Sequence, residues 1–384
     1  MVILLPPNPR YYSAEHETFR ATVRRFFEQE VAPHAEAWDE AGSFPRALYR
    51  RAAEAGLLQL GFPEEYGGVP CDAFHRMILT QERAWGGSGG VAAGLFSHTI
   101  GAPPIAAVGS AELKARVLPS ILAGEKISAL AITEPGGGSD VAALTTRAHR
   151  EGGHYVVNGS KIYITSGMRA DYITVAVRTG GSGAAGVSLL LIEGDTPGLS
   201  RTPLKKMGWW ASDTAQLHFD NCRVPAANLI GEEGRGFAAI MKNFNHERLA
   251  MAAGACGYAQ VCLHDAAAWA RERRTFGKRL ADHQVVRHQL VDMATRIEAT
   301  RALLDELASR LDAGASPVAQ IAMAKNFATR TFQFCADRAV QLLGGMGYMR
   351  GHRVERLYRE VKVMTIGGGT EDIMKDLAAK QLAL

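Results

Sequence analysis

The sequence predicts an α+β chain in three consecutive parts: an all-α domain over 1–126, an antiparallel β domain over 127–230 and a helical bundle over 231–384. Three observations predict it. Apolar residues recur at helical spacing through the first part, short β-branched and aromatic runs split by turn dipeptides fill the second, and the helical period returns in unusually long stretches in the third. At 384 residues the chain exceeds one typical domain, which agrees with several packed units.

In the first part Phe19, Val23, Phe26 and Phe27 share one face after Ser13, a candidate N-cap. Ser43 is read as the cap of a segment with Pro45 in its first turn and Gly56 at its end. Asp72 precedes a helix containing Phe74, Met77, Ile78 and Gln81, and Ser110 opens one ending at Leu122. In the middle part the strand-like runs are Tyr155-Val-Val, Lys161-Ile-Tyr-Ile-Thr, Tyr172-Ile-Thr-Val-Ala-Val, Val187-Ser-Leu-Leu-Leu-Ile and Ala215-Gln-Leu-His-Phe. Asn158-Gly159 between two alternating runs is the strongest hairpin signal, with Gly152-Gly153 and Gly180-Gly181 alike. The last part opens with one helical stretch over about 237–274, roughly 55 Å long at 1.5 Å per residue. Two more follow at about 282–313 and 317–343, the last with Pro317 in its first turn after Ser316.

Composition narrows the function classes. Hydrophobic residues make up 47% and charged residues 21%, with no biased tract, so the chain reads as globular rather than disordered or fibrous. The formal net charge is +4, but acids and bases interleave, as in Arg271-Glu272-Arg273-Arg274. That mixing marks a solvated helix face and argues against a nucleic-acid partner, while the modest positive balance suits an anionic small ligand. Five scattered cysteines without a CxxC pair argue against a disulfide framework or a zinc site, and no metal is expected. The apolar stub at 1–5 lacks a basic n-region, and no window reaches the roughly 18 apolar residues of a membrane span. A cytoplasmic protein without a membrane partner is therefore expected, a mature organelle-matrix protein also being compatible.

The most specific stretch is Ala131-Ile-Thr-Glu-Pro-Gly-Gly-Gly-Ser-Asp140, a strand running into a glycine loop. Its backbone N–H groups can approach a ligand closely, and Thr133 and Ser139 add hydroxyls. It lacks the Gly-Lys-Ser/Thr of a phosphate loop and does not sit in a βαβ unit, so a nicotinamide enzyme of the doubly wound type is disfavoured. Four further segments accompany it: Lys161-Ile-Tyr-Ile-Thr-Ser166; Arg271-Glu-Arg-Arg-Thr-Phe-Gly-Lys278 with Asp282-His-Gln284; Gln341-Leu-Leu-Gly-Gly-Met-Gly-Tyr348; and Gly367-Gly-Gly-Thr-Glu-Asp-Ile373. In this order and spacing the chain resembles the acyl-CoA dehydrogenase family from end to end.

The resemblance implies a central antiparallel β-barrel, a C-terminal four-helix bundle, FAD as cofactor and an acyl-CoA as substrate. It assigns the isoalloxazine wall to Leu130, Ala131, Ile132, Thr133, Gly138 and Ser139 with Tyr163, Ile164 and Thr165. It assigns the FAD tail to Arg273, Thr275, Phe276, His283, Gln284, Gln341, Leu342, Gly344 and Gly345, partly across a subunit boundary, and to Thr370 and Asp372. Ser139, Thr179, Asn245, Arg248 and Gly369 match positions that meet the acyl-CoA. A homotetramer built as a dimer of dimers and an electron-transfer flavoprotein as acceptor are implied as well.

Oxidising an unactivated Cα–Cβ bond needs a base for the α-proton, an acceptor for the β-hydride and support for charge on the thioester oxygen. Many members place the base one residue before the Gly-Thr that is here Gly369-Thr370, yet this chain has Gly368 there. Members acting on isovaleryl and long acyl chains instead carry the glutamate on the first bundle helix, in a context that His246-Glu-Arg-Leu249 reproduces. Glu247 is thereby the expected base, with the N–H of Gly368 polarising the thioester. A lone glutamate on a long helix is otherwise a solvated charge; the motif and the missing acid at Gly368 reverse that reading. Trp209-Trp210 could wall the flavin or fill a loop junction. An oxygen-using acyl-CoA oxidase and a non-catalytic acyl-CoA-binding subunit remain as alternatives on the same scaffold.

Overall fold

The structure is a computed structural model describing residues 6–384, the side chains of 242 and 243 apart; the stub at 1–5 lies outside the described residues. The helical first third runs α1 (Ala14–Phe26), α2 (Ala35–Ala41), α3 (Ala47–Glu54), α4 (Ala73–Glu82), α5 (Gly89–Leu95), α6 (His98–Gly101), α7 (Pro103–Val108) and α8 (Ala111–Leu122). The capping residues set most of these starts. Ser110 Oγ accepts from Leu113 N at 3.2 Å, and Asp72 Oδ1 accepts from His75 N at 2.8 Å. Ser13 N donates to His16 Nδ1 at 3.0 Å while His16 Nε2 reaches Asp72 Oδ2 at 2.9 Å, so one histidine ties the N-termini of α1 and α4 together. Ser43 does not cap α3. The next residue, Phe44, is buried, and the helix begins only at Ala47 without a side-chain cap, because burying that ring fixes the chain's approach before the first turn forms.

The middle part is β1 (Ser128–Ala131), β2 (Arg147–Glu151), β3 (His154–Thr165), β4 (Tyr172–Arg178), β5 (Val187–Glu193), β6 (Leu199–Pro203) and β7 (Thr214–Pro225). Their order is β1-β4-β2-β3-β7-β6, with β5 also on β4. The antiparallel barrel expected from the sequence is corrected to an open mixed sheet. Ser128–Ala131 lies parallel to Tyr172–Val175, and Arg147 pairs parallel with Arg178. The physical reason is the β2–β3 excursion: the chain leaves after β1, makes that hairpin, and returns in the direction of β1. Gly152-Gly153 makes the β2–β3 turn, and Gly180-Gly181 lies in the loop between antiparallel β4 and β5, as the dipeptides predict. Asn158-Gly159 does not turn the chain. β3 runs straight through it with a bulge against β7, and glycine is required there because a Cβ would stand 2.7 Å from Thr146 Cα at a φ of +143°.

The last part holds α9 (Gly236–Glu272), a short hairpin of β8 (Arg274–Thr275) and β9 (Lys278–Arg279), then α10 (Gln284–Asp312), α11 (Val318–Leu343), α12 (Gly345–Tyr348), α13 (Arg353–Ile366) and α14 (Glu371–Gln381). Pro317 sits one position outside α11 rather than in its first turn, its ψ of 64° being non-helical. α9, α10, α11 and α13 share one core, in which Ala252, Ala255, Cys256 and Ala259 of α9 meet Met293 and Ile297 of α10, Phe332 and Ala336 of α11 and Leu357 of α13. Small residues on α9 allow close helix approach. The chain thus has helical N- and C-terminal parts around a central sheet domain. No single helix among the described residues is long and apolar enough to cross a membrane.

Candidate active site

The glycine loop is held from beneath by a buried ion pair. Glu134 accepts from Thr145 N at 2.6 Å, Thr146 N at 2.8 Å and Lys161 Nζ at 2.8 Å, while Lys161 Nζ also reaches Ile132 O at 2.9 Å. Burial alone would raise the Glu134 carboxyl, but these donors hold it down at about 2. Burial weakens the Lys161 ammonium to about 8, the carboxylate offsetting part of that. With the loop's root fixed, Gly136 and Gly137 face open space and Gly138 and Ser139 are exposed. Ile162 N donates to Thr133 O at 2.8 Å, which lays the bulge of β3 beside the loop. At that bulge Tyr163 adopts a φ of +62° and is 68% exposed. A large aromatic in the left-handed region, facing outward, is a strained arrangement that points to a ligand. Leu130, Thr133 and Thr165 are half-buried beside it, whereas the side chains of Ala131, Ile132 and Ile164 are buried, leaving them only backbone to offer.

A second group forms where α9 passes the turn from α13 to α14. Gly368 (φ +66°) and Gly369 (φ +107°) shape this turn, and Thr370 caps α14 by accepting from Ile373 N at 3.4 Å. Arg248 Nε donates to Gly368 O at 3.1 Å, and the fully buried Lys325 donates to Gly369 O at 2.7 Å. Both carbonyls are thereby turned toward cations, fixing the two peptide planes. A Cβ at Gly368 would stand 2.7 Å from Met251 Sδ. The position matching the more common loop acid is thus both conformationally and sterically reserved for glycine. Glu247 neighbours Arg248 on α9, one turn from Met251. It is half-buried, yet its Oε2 is shielded from solvent without a hydrogen-bond partner among the described residues. Burial raises its carboxyl to about 7, with Arg248 offsetting part of the shift. An enclosed carboxyl without a partner, poised near neutral pH, can accept a proton from a bound molecule.

The remaining predicted residues fall on other elements. Phe276, at the tip of the β8–β9 hairpin, is 97% exposed with a φ of +48°, and Thr275 Oγ1 lies 3.2 Å from His283 Nε2. Arg273 and Gln284 are exposed on the same end of the molecule. Gln341, Gly344 and Gly345 are exposed where α11 ends, while Leu342 is buried. No hydrogen bond or ring contact among the described residues joins either group to Tyr163. Thr179 directly follows β4, its hydroxyl 2.6 Å from Ser188 Oγ, and lines a cavity of about 930 Å³ with Asp140, Leu144, Arg147 and Arg178. Asn245 is half-buried on α9 and Asp372 is exposed in the first turn of α14, next to Glu371, which pairs with Arg330 and Lys375. Trp210 is clamped by Arg359, 3.8 Å from its ring centre, and donates to Lys206 O at 2.8 Å, so it fills a loop junction. Sequence reasoning missed Lys325 and Met251. Nothing local distinguishes them, since their roles arise from contacts that α9 and α11 make with the turn after α13.

An isoalloxazine ring needs a flat wall with nearby donors, and the strained Tyr163 beside the open amides of the loop fits one. Comparison with known proteins agrees. Three family models match in order: "Acyl-CoA dehydrogenase, N-terminal domain" over 13–125, the middle domain over 129–222 and the C-terminal domain over 234–383. The mitochondrial long-chain specific acyl-CoA dehydrogenase of Rattus norvegicus is 37% identical over 377 residues, covering 97% of this chain and 87% of that protein. The crystal structure of acyl-CoA dehydrogenase from Geobacillus kaustophilus is similar with a TM-score of 0.93 and 39% identity, covering 98% of this chain and 100% of that one. A glutaryl-CoA dehydrogenase from Mycobacterium smegmatis in complex with FADH2 gives a TM-score of 0.91 at 28% identity, covering 98% of this chain and 96% of that one.

Proposed function

This chain belongs to the acyl-CoA dehydrogenase family, and from that premise we propose that Glu247 is the base that removes the α-proton of the acyl thioester. It is an FAD-dependent acyl-CoA dehydrogenase, an oxidoreductase acting on CH–CH groups. The observation that carries the assignment to Glu247 is its enclosed, unpartnered Oε2 on a carboxyl raised to about 7. When bound, FAD supplies the acceptor for the β-hydride.

This chain's residues do the rest. Ionised Glu247 takes the α-proton, and the cleft that enclosed it excludes water which would otherwise lower its basicity. Arg248 and Lys325 fix the carbonyls of Gly368 and Gly369 and so hold the shape of the turn, from which the Gly368 N–H supports the developing charge on the thioester oxygen. Leu130, Ala131, Ile132, Thr133, Gly138, Ser139, Tyr163, Ile164 and Thr165 hold the flavin ring. Arg273, Thr275, Phe276, His283, Gln284, Gln341, Leu342, Gly344, Gly345, Thr370 and Asp372 hold its tail. Ser139, Thr179, Asn245, Arg248 and Gly369 meet the acyl-CoA.

The exposure of Phe276, Arg273, Gln284 and Gln341 supports a tail site completed by another copy, in a homotetramer arranged as a dimer of dimers. Electrons then pass to an electron-transfer flavoprotein. The matched family segments support domain boundaries at 1–126, 127–230 and 231–384, and the bacterial relatives support a cytoplasmic location. The test is anaerobic addition of acyl-CoA thioesters to the purified flavoprotein. Bleaching of the flavin with formation of the trans-2-enoyl-CoA is expected; retention of colour with every thioester overturns the proposal.

A further inference from the structure

The loop before β2 and the loop after β4 line the cavity of about 930 Å³ that contains Thr179, a volume within the roughly 300–1,000 Å³ of small-molecule sites. Arg178 staples the two loops together. Its Nε donates to Leu144 O at 2.8 Å and its Nη2 to Ala142 O at 2.6 Å, while its Nη1 donates to Gly181 O and, at 3.2 Å, to Gly183 O. Carbonyls satisfy these donors without cancelling the charge, and Arg178 has no ion pair with a described residue.

Arg147 and His149 stand two positions apart on β2, about 7 Å along the strand, and both line that cavity. Ala148 between them is buried, so the pleat turns the two side chains to the same outer face. Because β2 pairs parallel with β4 at Arg147 and Arg178, the strand carries His149 on past the end of β4, toward the glycines of the next loop. Both side chains are exposed, and neither has a hydrogen bond, ion pair or ring contact with a described residue. A single such arginine is an ordinary solvated charge. Here two arginines and a histidine line one cavity against a single acid, Asp140, and a Cβ at Gly181 would meet nothing within 4 Å, so the backbone there is open to a ligand. That lining suits a compact anion, and a guanidinium matches phosphate in a two-pronged geometry.

We propose that Arg147 and His149 bind a phosphate of the nucleotide end of coenzyme A, in the field of Arg178, so that this enzyme selects CoA thioesters over thioesters of phosphate-free pantetheine. The inference rests on reading Ser139 and Thr179 as acyl-CoA contacts. Ser139 immediately precedes Asp140 in the first loop and Thr179 itself lines the cavity, so a CoA that passes both carries its phosphates into this space.

The test uses the holoenzyme and anaerobic stopped-flow flavin bleaching, with one acyl group carried in turn by CoA, by 3′-dephospho-CoA and by pantetheine. The readout is the ratio of the second-order rate constant for the CoA thioester to that for the pantetheine thioester. This ratio should fall about tenfold when Arg147→Met and His149→Gln are combined, as for the loss of a charge-assisted hydrogen bond, and by less in Arg147→Lys, which keeps the charge but not the fork. Added salt should lower the ratio more in the wild type than in the double variant. In the wild type, a drop already seen with dephospho-CoA places the 3′-phosphate at the pair, and a drop seen only with pantetheine places the pyrophosphate there; both support the proposal. A double variant that keeps the wild-type ratio overturns it, as does a wild type that bleaches as fast with pantetheine as with CoA, whether or not the variants fold. Thr179→Val keeps the two readings apart. If it slows bleaching by acyl-CoA while the double variant keeps the wild-type ratio, the phosphate assignment alone is wrong; if neither variant changes any rate constant, the reading of Thr179 fails as well.

Discussion

Replacing Glu247 by Gln should make the protein more stable, and by an amount that depends on pH. In the fold burial raises the carboxyl from its ordinary 4.5 to about 7, so the ionised form is the one the structure penalises. Below about pH 4.5 the group is protonated both folded and unfolded, and it costs nothing. As pH rises from about 4.5 to about 7 the unfolded chain ionises this carboxyl while the fold keeps it protonated, so stability falls by roughly 3 kcal/mol across that window and levels off above about pH 7. Glutamine has no such ionisation. The assay is thermal melting of the holoenzyme and of Glu247→Gln across about pH 5 to 8, plotted as the difference in Tm. Glu360 is raised to about 7 as well, but both proteins keep it and it cancels in the difference. A gap that widens in favour of the variant as pH rises is expected, and in the wild type flavin reduction should speed up through the same range, because the base works only when ionised. A gap that stays flat or narrows would refute the reasoning about this carboxyl.

Gly368→Ala should slow flavin reduction and cost about 1–2 kcal/mol of stability, because an L-residue is strained at a φ of +66° and the new methyl meets Met251 Sδ; adding Met251→Ala should recover part of the loss in a double-mutant cycle read by melting. Glu134→Gln should destabilise the protein by about 3–5 kcal/mol by leaving Lys161 buried without its counter-ion, and should reduce the FAD content measured by absorbance after gel filtration. Because the Glu134 carboxyl is held at about 2, its stabilisation is present above the ordinary 4.5 and is lost only as pH falls toward 2, so the deficit of the variant should persist down to mild acid.

Local signals gave the helices well and the sheet less well. Ser110, Asp72 and Ser13 cap where expected because an N-cap bond spans only three residues and is written in adjacent sequence. The parallel pairing of β1 with β4 joins residues some forty positions apart, and no pattern within either run distinguishes a parallel neighbour from an antiparallel one. Asn158-Gly159 carries the chemistry of a hairpin turn, yet β7 offers β3 a continuous partner across it and Thr146 requires a glycine on other grounds. At the site, motifs led to Glu247 and to the glycine turn, but not to the reason Gly368 is glycine, which depends on Met251 four residues beyond the base.

The central claim is that Glu247 itself carries the α-proton away. It is tested most directly by incubating the enzyme with an acyl-CoA in deuterium oxide and measuring deuterium at the α-carbon of recovered thioester by mass spectrometry. The wild type should exchange that hydrogen and Glu247→Gln, with FAD still bound, should not. Exchange by the variant at the wild-type rate would mean that another group is the base.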